Sequence, residues 1–261
     1  MDLKTDSKTI LPEMEPDTSD VVEHFTARAG RYDRSSRWCT DPLMMQRLVE
    51  LAQPRDSDLL LDVACGTGLV SEAFRGKVAR IVGVDLTPAM TSQALTRADA
   101  LVLGAAEALP FRDRQFDLTT CRQGLQFMDA RLAVKEMTRV TKKGGRLLIV
   151  SLCAYGEEDR KETFEILHLR NPARRNFFVP EELSALLREA GCREIYLHDY
   201  VSDENVDVWS DNGAIAETNR ERIRAIYREA SPAFRRLHQL QYLDSGRIID
   251  RMLFVLAVGI P

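Results

Sequence analysis

Hydrophobic and polar positions along this chain change period at about residue 58. From there, short apolar runs alternate with stretches in which apolar side chains recur every three or four positions. Strands joined by crossover helices in a parallel sheet leave that pattern. The apolar runs predict strands at 59–63, 80–85, 100–104, 116–122, 146–151, 194–201 and 250–258. Helical spacing falls on 69–75, 88–97, 130–141 and 180–190. Upstream, Asp17-Thr18-Ser19-Asp20 supplies N-cap chemistry for a helix carrying Val21, Val22, Phe25 and Ala29. Asp41-Pro42 opens a second helix, with Leu43, Met44, Leu48 and Leu51 on its apolar face. Residues 1–17 are polar and contain proline, which predicts a flexible tail ahead of one domain over 18–261. Between the last two strands, residues 202–249 are far longer than a sheet connection needs. They carry helical spacing at 214–229 and 232–240, so a helical cap inserted before the last strand is expected.

One turn in this pattern carries chemistry. Leu59-Leu60-Leu61-Asp62-Val63 runs into Ala64-Cys65-Gly66-Thr67-Gly68, a strand followed by tiny residues at the start of a helix. Small side chains let a ligand lie against the backbone there, and the helix N-terminus offers unpaired N–H groups. The next strand ends in Asp85, where an acid can hold a ribose diol. A dinucleotide fingerprint would place a third glycine where Ser71 stands. The pair of motifs therefore reads as a nucleoside site of another kind.

Further signatures follow in order: Gly104-Ala105-Ala106-Glu107-Ala108-Leu109-Pro110-Phe111, then Gln115-Phe116-Asp117-Leu118, then Arg139-Val140-Thr141-Lys142-Lys143-Gly144-Gly145-Arg146. Together with the turn, they resemble the class I S-adenosylmethionine-dependent methyltransferases of the ubiquinone/menaquinone-type (type 11) branch, over roughly residues 20–200. The resemblance implies a Rossmann-like, doubly wound, mostly parallel seven-stranded sheet with an N-terminal helical segment, and S-adenosyl-L-methionine as cofactor. It implies that Ala64, Cys65, Gly66, Thr67 and Gly68 line the cofactor loop and that Asp62 holds the methionine end. Asp85 would accept both ribose hydroxyls, Leu86 would pack on adenine, and Ala105 and Ala106 would meet the adenine edge. Arg122 and Gln123 follow the fourth strand beside the methionine moiety, and Tyr32 would close over the cofactor. Two positions depart from the family: Ala64 replaces its first glycine, and Ala105 replaces the Asp or Asn that many relatives use on the adenine amino group.

Composition narrows the partners. A formal net charge of −4 supplies no electrostatic drive toward nucleic acid or anionic membranes. The five cysteines, Cys39, Cys65, Cys121, Cys153 and Cys192, are scattered without metal-ligand spacing, so no metal is expected and a reducing, cytoplasmic setting is. Arg170, Arg174, Arg175, Phe177 and Phe178 read as a solvated loop with its phenylalanines in the core. Arg220, Arg222 and Arg224 alternate with Glu217 and Glu221 as on an exposed, salt-laced helix. The expected reaction is methyl transfer to O, C or N of a small, aromatic or otherwise apolar metabolite, by a monomer or homodimer. The alternative is an S-adenosylmethionine-binding protein that does not methylate, as an accessory subunit or in a cofactor-assisted rearrangement. Catalytic candidates are Tyr32, His168, His238 and Tyr242, the histidines because imidazole titrates near neutrality.

Overall fold

The computed structural model describes residues 18–261, so the expected tail lies outside the described residues. Helix α1 (Ser19–Arg28) leads through two 3-10 turns (Ala29–Arg34 and Arg37–Thr40) into α2 (Pro42–Ala52). The start of α2 is set by Asp41, whose carboxylate accepts from the Leu43 N–H at 3.0 Å, with Pro42 in the first turn. The sheet then begins: β1 (Leu59–Val63), α3 (Leu69–Phe74), β2 (Arg80–Asp85), α4 (Pro88–Ala94) and β3 (Ala100–Leu103). Next come β4 (Phe116–Arg122), a 3-10 turn (Leu125–Phe127), α5 (Ala130–Val140) and β5 (Thr141–Cys153). The remainder is α6 (Arg160–Arg170), α7 (Pro180–Glu189), β6 (Glu194–Asn205), α8 (Val206–Ser210), α9 (Glu217–Glu229), α10 (Pro232–Leu237), β7 (Gln241–Tyr242) and β8 (Ile248–Ile260).

Strands lie in the order β3-β2-β1-β4-β5-β8-β6, with β7 paired to β8. The five strands from β1 to β5 are parallel, and β8 runs antiparallel to both β5 and β6. The count is eight rather than the expected seven. The extra strand β7 has two residues, Gln241 opposite Ile249 and Tyr242 opposite Ile248, too few for alternation to register in sequence. The order reverses between β1 and β4, so their carboxyl ends open a crevice, the usual ligand position in such sheets.

Both faces of the sheet are covered, which is why its strands read as nearly unbroken apolar runs. Along β5, Leu148 and Val150 face one core with Trp38, Phe74 and Phe254, whereas Leu147 and Ile149 face the other with Phe116, Val134 and Met137. Segment 202–249 carries α8, α9 and α10 and is built into the body of the fold. Its first residues prolong β6, and Trp209, Ile223, Tyr227 and Phe234 are buried in the first core. The salt-laced face of α9 is present: Arg220 meets Glu217 at 2.8 Å, and Arg224 meets Asp207 at 2.6 Å. Helix α6 has no counterpart in the sequence-based expectation, because its buried stripe includes Thr163 and Arg170 and lacks apolar contrast. Among the described residues, no helix is long and apolar enough to cross a membrane.

Candidate functional site

The crevice after β1 is shaped by backbone conformation. Ala64 and Gly66 both adopt left-handed angles, φ +54° and +55°. A Cβ on Gly66 would stand 3.2 Å from the Met90 methyl, so the turn leaves a bare strip of backbone facing the crevice. Asp85 at the end of β2 holds that strip in place. Its Oδ2 accepts from the Gly66 N–H and its Oδ1 from the Thr87 N–H, both at 2.8 Å. Each oxygen retains acceptor capacity for a further partner. Burial pushes the Asp85 carboxyl above its ordinary range, partly countered by these N–H donors.

Among the predicted cofactor residues, Tyr32, Ala64, Gly66, Asp85, Leu86, Ala105, Ala106, Arg122 and Gln123 line this cleft together. The others stand behind it. Asp62 is buried and accepts from the Ser71 N–H at 3.1 Å, the Ser71 hydroxyl at 2.8 Å and the Thr120 hydroxyl at 3.0 Å. It thus satisfies the N-terminus of α3, and Ser71 supplies a hydroxyl where a dinucleotide fold has its third glycine. Burial raises Asp62 to about 6 against those bonds. Cys65 packs under Gly83, and Gly68 lets α3 approach Ala94 and Arg97, where a Cβ would come within 3.0 Å. Thr67 is drawn away from the cleft: its hydroxyl donates to Asp33 at 2.6 Å, while Arg97 bonds the other Asp33 oxygen at 2.9 Å and the Thr67 carbonyl at 3.0 Å.

That three-residue latch seats the 3-10 turn carrying Tyr32 over the cleft mouth. Burial pushes the Tyr32 phenol above its usual value, so it stays protonated at neutral pH. Phe25, Thr87, Met90, Glu107 and Met128 also line the cleft, and sequence reasoning did not name them as site residues. The apolar ones carry no signal separable from core spacing. Glu107, however, lies within the Gly104–Phe111 signature and could have been found there.

A second, inner chamber adjoins the first. Phe25, Tyr32, Gln123 and Phe127 form a wall common to both, and beyond it stand Arg28, Trp38, Arg170, Asn171, Arg174 and Trp209. Arg170 and Arg174 are buried, which corrects their reading as part of a solvated loop. Helix α6 and the turn after it fold back under Trp209, whose ring lies 4.5 Å from the Arg170 guanidinium carbon.

Three of the four catalytic candidates line neither chamber. His168 is exposed on α6, with its ring 6.3 Å from that of Phe177. His238 is buried between two carboxylates, Asp250 at 2.7 Å and Asp159 at 3.0 Å, and stacks on Phe234 with ring centroids 3.8 Å apart. Tyr242 lies on β7 and donates its hydroxyl to the Tyr227 carbonyl at 2.6 Å. β7 pairs with the first residues of β8, Ile249 and Ile248, and His238 is held by Asp250, so neither side chain lines the cleft or the inner chamber. Tyr32 alone stays at the junction of the chambers.

Residues 61–149 match the family model described as Methyltransferase domain. Over 151 residues the chain is 34% identical to a demethylmenaquinone methyltransferase of Thermobifida fusca, a stretch covering 54% of this chain and 64% of that protein. Over 163 residues it is 35% identical to a malonyl-[acyl-carrier protein] O-methyltransferase of Erwinia billingiae, covering 61% and 63%. The matched stretch thus spans less than two thirds of either relative. The crystal structure of the YcgJ protein from Bacillus subtilis aligns with a TM-score of 0.77 at 25% identity, over 83% of this chain and 97% of that one.

Proposed function

We infer, from the premise that this chain carries a class I methyltransferase domain of the type 11 branch, that it transfers a methyl group from S-adenosyl-L-methionine to O, C or N of a small, largely apolar metabolite. One observation carries the reading: the bare backbone strip at Gly66 lies beside a partly buried carboxylate, Asp85, that keeps acceptor capacity on both oxygens. A ribose with two adjacent hydroxyls fits that pairing, and an adenine ring fits the apolar floor of Leu86, Val84 and Met90.

S-adenosylmethionine supplies a methyl group already activated by a sulfonium leaving group. The chain then has to bind, align and keep water out of the displacement, which leaves neutral S-adenosylhomocysteine and releases the acceptor's proton to solvent. Asp85 orients the sugar, Leu86 and the Ala105–Ala106 backbone hold the base, and Gln123 and Arg122 border the methionine end. Ala105 brings no polar side chain to the adenine amino group. Glu107 does the work instead: it lines the same cleft, and its Oε1 is oriented by the Asp129 N–H at 2.8 Å. Tyr32, held by the Asp33 latch, separates the cleft from the inner chamber and positions the acceptor as an uncharged phenol. Asp62, Thr67 and Gly68 shape the loop from behind.

The experiment is transfer of label from methyl-tritiated S-adenosylmethionine into a fractionated metabolite extract, alongside calorimetric titration with S-adenosylhomocysteine. Binding together with labelled product supports the reading. Absence of binding at millimolar ligand refutes it.

A further inference from the structure

The inner chamber has an unusual electrostatic composition. Arg28, Arg170 and Arg174 line it and, among the described residues, no Asp or Glu does, while Arg122 stands at the neighbouring cleft. All four arginines are at least nine-tenths buried, and none of them forms an ion pair among the described residues. Buried arginines are ordinarily paired with carboxylates, because desolvating an uncompensated charge costs several kcal/mol. Here the partners are neutral. Arg170 donates to the Trp209 carbonyl at 2.9 Å, and Arg122 donates to the Cys39 carbonyl at 3.2 Å. Arg28 contacts His24 at 3.3 Å, and burial together with Arg28 lowers that imidazole to about 4, leaving it uncharged. The nearby Glu204 is committed to the Trp38 N–H at 3.1 Å and the Ser202 hydroxyl at 2.7 Å, and burial pushes its carboxyl toward the neutral form.

The hydrogen-bond inventory leans the same way. Arg28 Nε, Trp38 Nε1, Gln123 Nε2, Asn171 Nδ2, Arg174 Nη1 and Trp209 Nε1 are buried donors without a partner, and all belong to residues lining this chamber. The one unpartnered acceptor on the same lining is Gln126 Oε1. A set so rich in donors is satisfied by a group that only accepts, and an ionised carboxylate is such a group. Buried donors left unmade are costly in a folded protein and are expected where a ligand completes them.

We propose that the inner chamber is the acceptor site of the methyl-transfer reaction and recognises an apolar, aromatic-compatible acid by its carboxylate, which Arg170, Arg174 and Asn171 hold at the end away from the cofactor cleft. The inference rests on the methyltransferase reading and adds to it the charge and polarity of the acceptor. The wall common to both chambers, Phe25, Tyr32, Gln123 and Phe127, is apolar apart from the phenol and the amide. The ring or chain of the acid lies against it, with the atom to be methylated nearest the cleft. The carboxylate is an anchor, so the product keeps its negative charge.

The test uses benzoate as probe, with benzyl alcohol, benzylamine and phenyl phosphate as comparisons. Binding is read by ligand-observed NMR and thermal shift, with and without S-adenosylhomocysteine. Benzoate should bind at least tenfold tighter than the alcohol or the amine. Arg174→Met should weaken benzoate at least tenfold while leaving S-adenosylhomocysteine affinity unchanged, and Arg174→Lys should recover part of the loss. Without benzoate, Arg174→Met should melt higher than wild type, because it removes an unpaired buried charge; a structural arginine would behave oppositely. Equal binding of benzyl alcohol or benzylamine, or full benzoate affinity in Arg174→Met, overturns the proposal. Binding of phenyl phosphate without benzoate overturns the assignment to a carboxylate. Failure of wild type to bind S-adenosylhomocysteine would sink the methyltransferase reading instead, and the cofactor-free arm still reads the chamber.

Discussion

Removing the Asp85 carboxylate should damage cofactor affinity and stability together. The two effects have separate physical origins. In the proposed complex the carboxylate accepts ribose hydroxyls, and one charge-assisted hydrogen bond is worth about 1.5–3 kcal/mol. That corresponds to roughly tenfold to a hundredfold in affinity for a single bond, and more if both hydroxyls engage. The same carboxylate already holds the Gly66 and Thr87 N–H groups at 2.8 Å each. Both residues are buried, so Asp85→Ala strands two donors at about 1–3 kcal/mol apiece wherever water cannot reach them. At about 2–4 °C per kcal/mol for a domain of this size, melting should fall by several degrees. Asp85→Asn keeps one carbonyl oxygen and should lose affinity with a smaller drop in melting temperature. Calorimetric titration with S-adenosylhomocysteine, run well below the variant's melting point, separates binding from unfolding. Asp85→Ala with native affinity would refute the role of this residue, and loss of affinity without any loss of stability would refute the account of the loop.

Three more outcomes follow from the geometry. Ala64→Gly should raise melting by a few degrees at most: an L-residue in the left-handed region costs about 1–2 kcal/mol, offset by about 0.5–1 kcal/mol of added chain entropy; a marked fall in differential scanning fluorimetry would mean that the methyl packs productively. Burial alone would lower His238, but Asp250 and Asp159 raise it to about 9, above the unfolded value of 6.5. Its stabilisation, on the order of 3 kcal/mol, should be complete below about pH 6.5 and lost as pH rises through 9, and melting curves of wild type against His238→Gln should show this slope only in the former. Trp209→Ala should cost about 3–5 kcal/mol in chemical denaturation, because the indole is 1% exposed in the main core as well as lining the inner chamber. A loss confined to turnover would refute the placement of this indole in the core.

The order of strands and crossover helices was legible in this sequence because a parallel sheet buried on both faces writes apolar runs punctuated by 3.6-residue spacing. Leu59–Val63, Arg80–Asp85 and Phe116–Arg122 appear where their patterns placed them. The tight turn Ala64–Gly68 was legible as well, since few side chains tolerate its left-handed backbone, and so was the acid closing the next strand, Asp85. Distances between remote residues were decided only by the tertiary structure. His238 and Tyr242 looked available for catalysis, yet Asp159 at the start of α6 and Asp250 on β8 enclose the first, and the second sits on β7, paired to β8, off the lining of both chambers. Arg170 and Arg174 looked like solvated loop residues, because hydropathy assigns arginine to water. Helix α6 and the turn after it bring them under Trp209 beside Arg28, 142 and 146 residues back along the chain, where no Asp or Glu among the described residues forms an ion pair with them. Periodicity reports which face of an element is buried. It does not report which charges share a cavity, and in this protein that sharing sets the inner chamber apart.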